Sequence, residues 1–283
     1  MKKFKLGEFE RNSAIVFAIS MLANVVTYLY QIVMGNLLSP ADYGTINTLL
    51  SLSIVIGVPS GIISTLVATY TAKYQAVGKP ELIGGFMHKM LRASVLLACV
   101  VFAAGAALSS IIANVLQIEE TRYILATMVV VAFSCVAPVF SCTLQGVKRF
   151  VPYSINGVLN IAIRLLLSIP FVWMGFGIGG NLAAVILAAF ATAAFCFWRA
   201  RDLFFAPKIE QLHLDRTEIR SYFVSTFWFQ LFLLLMANGD VLLIKTFAAD
   251  PAEVGIYSSG SVIGKISLYL ANAIVPVLLP MVA

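Results

Sequence analysis

The chain has 283 residues, of which 60% are hydrophobic and 11% charged, with a formal net charge of +6 and a mean hydropathy of +0.95. Too few polar side chains exist to build a water-facing surface, which excludes a soluble globular fold and places the protein in a bilayer. The basic residues lie in short clusters, without the continuous basic, aromatic-laced surface that nucleic acid requires, so no nucleic-acid partner is expected.

Eight apolar stretches bounded by charges, Pro and Gly run over 12–36, 43–71, 91–115, 122–144, 152–174, 178–198, 221–247 and 255–282. Each reaches about 20 residues or more, enough to cross roughly 30 Å of hydrocarbon as a helix. The first begins like a signal peptide, but its core is too long and has no small-residue cleavage site before Asn36, so it reads as an uncleaved span. Between the second and third, residues 72–90 mix Tyr74, Val77, Leu82, Ile83, Phe86 and Met87 with charges. That pattern fits an amphipathic connector at the membrane face or a solvated loop.

Fifteen of the 19 basic residues fall on one side: Lys2, Lys3, Lys5 and Arg11; Lys73, Lys79, Lys89 and Arg92; Lys148 and Arg149; Arg199, Arg201, Lys208, Arg216 and Arg220. The opposite loops carry Arg122 against Asp42, Glu119, Glu120, Asp250 and Glu253. The positive-inside rule therefore predicts a cytoplasmic N-terminus and a cytoplasmic 199–220 segment.

Polar residues inside spans are costly and mark function. The first span carries Asn24, Tyr28 and Gln31 on one face, and the second carries Ser53, Ser60 and Ser64. In the fifth, Tyr153, Asn156, Asn160 and Arg164 repeat at spacings of three, four and four, which puts them on one helical face with the guanidinium near mid-bilayer. The seventh holds Asp240, and Lys245, near its outer end, is expected to reach the interface. The eighth carries Ser258, Ser261, Lys265, Tyr269 and Asn272, with Lys265 about 15 Å deep at helical rise. Together these stripes predict an aqueous cavity. Asp240 has two readings: an ion pair with Arg164 or Lys265, or a titratable site coupling transport to an ion gradient. Arg164 and Lys265 read either as an anion site or as structural pairing. Two deep cations against one deep acid leave excess positive charge, which favours an anionic substrate; a guanidinium suits a phosphate oxygen pair.

Other motifs fail on context. Gly175-Phe176-Gly177-Ile178-Gly179-Gly180 spells a dinucleotide fingerprint but lacks the strand before it, so it reads as a tight turn between two spans. Cys99, Cys135, Cys142 and Cys196 lie within spans without ligand spacing and read as apolar packing. His88 and His213 stand alone and read as solvated. No catalytic constellation, metal site or cofactor is called for, and an enzyme is not expected.

Pro40-Ala41-Asp42-Tyr43-Gly44 returns as Pro251-Ala252-Glu253-Val254-Gly255, 211 positions later, each following one long apolar stretch and opening another. A repeat of that period predicts two related transmembrane halves with a site between them. The expected fold is an all-α polytopic membrane protein. It comprises a six-helix N-terminal lobe over 1–205, a cytoplasmic linker over 206–220, and over 221–283 the first two helices of a repeated second lobe, which reads as incomplete.

The run Asn36-Leu37-Leu38-Ser39-Pro40-Ala41-Asp42-Tyr43-Gly44, then Leu144-Gln145-Gly146 with Lys148-Arg149-Phe150, and Val254-Gly255-Ile256-Tyr257-Ser258 resemble the polysaccharide flippases. These share a superfamily with multidrug and toxic-compound extrusion transporters and lipid II flippases. The resemblance implies a plasma-membrane transporter that moves polyprenyl-diphosphate-linked oligosaccharide outward by alternating access. It also implies membrane lipids, glycan polymerase and glycosyltransferases as partners. By the same analogy Arg164 and Lys265 would neutralise the diphosphate, while Asn24, Gln31, Asn156 and Asn160 would bind sugar hydroxyls. Drug efflux on the same fold would lead one to expect a membrane acid in the first six helices, where none occurs. A lipid II flippase would carry arginines in the first two helices, where only Arg11 lies at the edge; a non-transporting scaffold would tolerate neutral replacement of Arg164 and Lys265.

Overall fold

A computed structural model describes residues 6–78, 81–205 and 216–265, with side chains from residue 17 onward and from 223 in the third segment. Its described residues are helical with no strand: α1 Leu6–Leu37, α2 Pro40–Ile56, α3 Val58–Ala76, α4 Glu81–Ala107, α5 Ser109–Val115, α6 Thr121–Val136, α7 Pro138–Gly146, α8 Phe150–Phe171, α9 Gly177–Phe204, α10 Arg216–Phe247 and α11 Pro251–Gly264. Five helical stretches among these residues are long and apolar enough to span a membrane, or six with the bent pair α2 and α3. The protein is thus a polytopic all-α membrane protein. Leu96, Ile111, Leu166 and Phe229 stand 60 to 69% exposed, as lipid-facing side chains should.

Predicted spans break where backbone chemistry requires it. The second is two helices bent by 50° at Gly57, beside Pro59. The fourth breaks before Pro138, whose missing N–H frees the carbonyl of Ser134. Ser60 of α3 donates its hydroxyl to that carbonyl at 2.7 Å, so this serine serves the backbone of α6 rather than the cavity it was expected to line. The fifth and sixth spans meet through a π turn at Val172–Phe176, with φ of 88° at Gly175 and 49° at Gly177, conformations that glycine adopts without penalty. Contacts pairing 149 with 202, 160 with 192 and 168 with 181 converge on that turn, so α8 and α9 form an antiparallel hairpin.

Residues 81–90 are no surface connector. They open α4, and Ile83, Phe86 and Met87 sit in the largest apolar cluster with Val67, Cys135, Cys142, Leu144 and Cys196. His88 likewise lies in α4, its ring stacked 4.0 Å from that of Phe204, which replaces the solvated reading. Cys99 is exposed. His213, Lys208, Tyr269 and Asn272 lie outside the described residues.

The resembling motifs are local devices of folding and packing. Ser39 caps α2 by accepting from the amide of Asp42 at 3.1 Å, with Pro40 in the first turn; 211 positions on, Asp250 caps α11 by accepting from Ala252 at 2.8 Å, with Pro251 following. Since apolar burial does not drive association within lipid, small residues mark the crossings. A Cβ on Gly146 would lie 2.8 Å from the Ala68 carbonyl, which is why α7 can seat on α3. A Cβ on Gly44 would lie 2.7 Å from the Gly255 nitrogen, so α11 crosses α2 at glycines in equivalent places of the repeat. Farther along, α10 runs against α3, with Phe223, Phe227, Leu231 and Leu234 over Val58, Ile62 and Leu66.

Candidate functional site

The polar face of α8 turns inward onto α1 and α9. Arg164 donates from Nη2 to the Tyr30 hydroxyl at 2.8 Å, and its guanidinium carbon lies 4.1 Å from that ring's centroid. The same hydroxyl accepts from Asn181 Nδ2 at 2.7 Å, using the second lone pair of the phenol oxygen. Asn181 also reaches Ser168 Oγ and Met34 Sδ, each at 3.3 Å. One turn back along α8, Asn160 donates to Thr192 at 3.2 Å. Tyr30 and Asn181 are 1% and 0% exposed, so this seam is a buried network. Yet Arg164 Nε, Asn156 Oδ1 and Asn181 Oδ1 are buried without a partner, leaving donor and acceptor capacity unspent. Of the α1 residues, Gln31 accepts from the Tyr43 hydroxyl at 3.1 Å, and Asn24 is half-buried on the same helix.

A second polar cluster joins α10 to α11. Asp240 Oδ2 accepts from Tyr257 at 3.0 Å and from Ser261 at 3.3 Å, while its Oδ1 is buried without a partner. Lys265 donates to Asn238 Oδ1 at 3.3 Å. Among the described residues the ion pairs are Glu120 with Arg122 and Arg149 with Asp202, all near helix ends. Hydroxyls thus hold Asp240 in place of the ion pair considered for it, and neutral groups hold Arg164 and Lys265, whose charge no described carboxylate cancels. The two cations lie in separate clusters, because α8 packs chiefly on α1, α7 and α9, whereas α11 packs on α2 and α10.

Lys245 departs most from expectation. It is 4% exposed and donates to Thr45 Oγ1 at 3.3 Å, inside the packing of α10 on α2, instead of reaching the interface. Depth along a span does not reveal that a neighbouring helix covers the residue. Sequence pattern omits Tyr30 and Asn181 from the site for a related reason. Asn181 is the lone amide of a long apolar helix, a signal that was available, but a buried tyrosine reads as ordinary packing until its hydroxyl partner is known.

A comparison with protein families matches residues 9–283 to the family described as polysaccharide biosynthesis protein. The chain belongs to that family. A comparison with curated proteins returned no match. Among solved structures, this family member is similar to an inward-facing multidrug resistance MATE transporter of the MOP superfamily, with TM-score 0.72 and 13% identity over 94% of this chain and 63% of that one. It is also similar to a MATE protein in complex with Br-NRF, at TM-score 0.70 and 16% identity over 94% and 64%. A third is a MOP superfamily transporter from Pyrococcus furiosus whose binding pocket is described as reversed in polarity, at TM-score 0.58 and 15% identity over 94% and 68%. The shared feature is the fold. The chain spans 63 to 64% of the length of the first two.

Proposed function

We propose that this polytopic membrane protein belongs to a transporter that carries polyprenyl-diphosphate-linked oligosaccharide outward across the plasma membrane by alternating access. The observation that carries this reading is the pair of half-buried cationic groups, Arg164 and Lys265, held by Tyr30 and Asn238 and in no ion pair among the described residues. A cation deep in a low-dielectric span persists only if something compensates it, and a diphosphate supplies two negative charges and many acceptors. Family membership supports the glycan, and the amides of Asn24, Gln31, Asn156 and Asn160 supply donors and acceptors suited to sugar hydroxyls. Asp240, with one oxygen unpartnered, would serve as the ion-coupling group during the cycle. In this arrangement the N-terminus is cytoplasmic and the loops near Asp42 and Asp250 face outward, as the charge asymmetry requires.

The test uses full-length protein in proteoliposomes and follows a fluorescent polyprenyl-diphosphate oligosaccharide beside a cationic dye. Losing a charged hydrogen bond worth about 1.5–3 kcal/mol predicts a roughly 10- to 100-fold slower sugar-lipid movement for Arg164→Ala and for Lys265→Ala. Dye movement without sugar-lipid movement would assign the protein to efflux instead. Sugar-lipid movement indifferent to both substitutions would remove the site from these residues.

A further inference from the structure

At the end of the molecule predicted to be cytoplasmic, the antiparallel hairpin brings the start of α8 beside the finish of α9 and leaves a concavity lined by Arg149, Trp198, Arg199, Arg201 and Asp202. Arg149 builds it. Its guanidinium donates to the Arg199 carbonyl at 2.9 Å and to Asp202 Oδ1 at 2.9 Å, with a second bond to the other carboxylate oxygen. The only acid in the concavity is therefore consumed by a bidentate pair, and its charge is cancelled. Arg199 and Arg201 are in no ion pair among the described residues. Their guanidinium carbons lie 5.7 and 5.9 Å from the Trp198 ring. An indole engages such groups through its π face, which leaves guanidinium edge N–H donors free for a bidentate acceptor. The C-terminal end of α9 alone would repel an anion, but the α8 N-terminus alongside offsets that dipole.

What lies next to the concavity narrows the ligand. Leu187, Phe190, Ala194, Trp198 and Arg201 recur at spacings of three, four, four and three along α9, and all five are exposed. An outward stripe of apolar side chains thus ends in an indole and then in unpaired arginines, in the order acyl chain, interface and phosphate along a lipid.

We propose that Arg149, Trp198, Arg199 and Arg201 form a binding site for the phosphate of an anionic phospholipid whose acyl chain lies along the Leu187–Trp198 stripe. The ligand chemistry is a phosphate ester; free phosphate would offer the same oxygens without the chain.

Native mass spectrometry of the full-length protein in detergent, supplied with equal phosphatidylglycerol and phosphatidylcholine, tests this. Wild type is expected to retain phosphatidylglycerol in preference. At about 1 kcal/mol per basic residue, or roughly fivefold each, the Arg199→Gln, Arg201→Gln double variant should lose about 25-fold of that preference, and Trp198→Leu should weaken it without removing charge. Millimolar inorganic phosphate should fail to displace the lipid. Equal retention of the two lipids by wild type, an undiminished preference in the double variant, or displacement by free phosphate would each overturn the proposal. The exposed positions of these side chains keep the variants foldable, which monodisperse elution checks, and Arg201→Gln alone should still lose about fivefold.

Discussion

Gly44 and Gly255, which occupy the same place in two copies of a motif 211 positions apart, touch one another where α2 crosses α11. A Cβ on Gly255 would fall 2.0 Å from the carbonyl oxygen of Pro40, and backbone cannot step aside as a side chain can. Each copy thus supplies a capped helix start and a glycine that lets the other copy approach.

Gly255→Ala and Gly44→Ala should therefore each destabilise the protein by about 1–3 kcal/mol, the usual cost of overpacking, with Gly255→Ala the worse. Gly157, which has open space where a Cβ would go, supplies the control: Gly157→Ala should leave the thermal aggregation midpoint unchanged or raise it. Equal midpoints for all three variants would show that the crossing is not tight.

Tyr30→Phe keeps the ring under the Arg164 guanidinium but removes the oxygen that both Arg164 and Asn181 use. Leaving buried donors unsatisfied costs about 1–3 kcal/mol, so the variant should melt lower than wild type. Tyr43→Phe, which removes the hydroxyl's bond to the half-buried Gln31, should cost less. The reverse order would place the network elsewhere.

Lys245 is a buried cation with one described hydrogen-bond partner, and a hydrophobe of similar length avoids its desolvation penalty. Lys245→Met is expected to hold or raise thermal stability, whereas Thr45→Val, which strands the ammonium, should lower it by about 1–3 kcal/mol. A stabilising Thr45→Val would show the ammonium to be solvated.

The bond from Ser60 to the Ser134 carbonyl exists because Pro138 has no N–H. Ser60→Ala should cost about 1–2 kcal/mol in the wild-type background and markedly less in Pro138→Ala, where an amide can close the α6 ladder. Melting midpoints of the four proteins in this cycle give the coupling directly. Strict additivity would mean that the two residues act independently.

Features decided by neighbours along the chain were legible in the sequence. The first seven spans were, because a helix must satisfy its own backbone in lipid and needs a set length of apolar residues; most of the eighth, 255–282, lies outside the described residues. So were the turn at Gly175 and Gly177 and the common face of Asn156, Asn160 and Arg164, which depend on offsets of a few residues. Tertiary structure alone decided what those faces meet. It set Arg164 on Tyr30, turned Ser60 from a cavity residue into a backbone partner of α6, folded residues 81–90 into α4, and covered Lys245 with α2. The physical reason is that burial and partner choice depend on which distant helices approach, and within a uniformly apolar bilayer that choice rests on small residues and a few polar contacts, which hydropathy does not register.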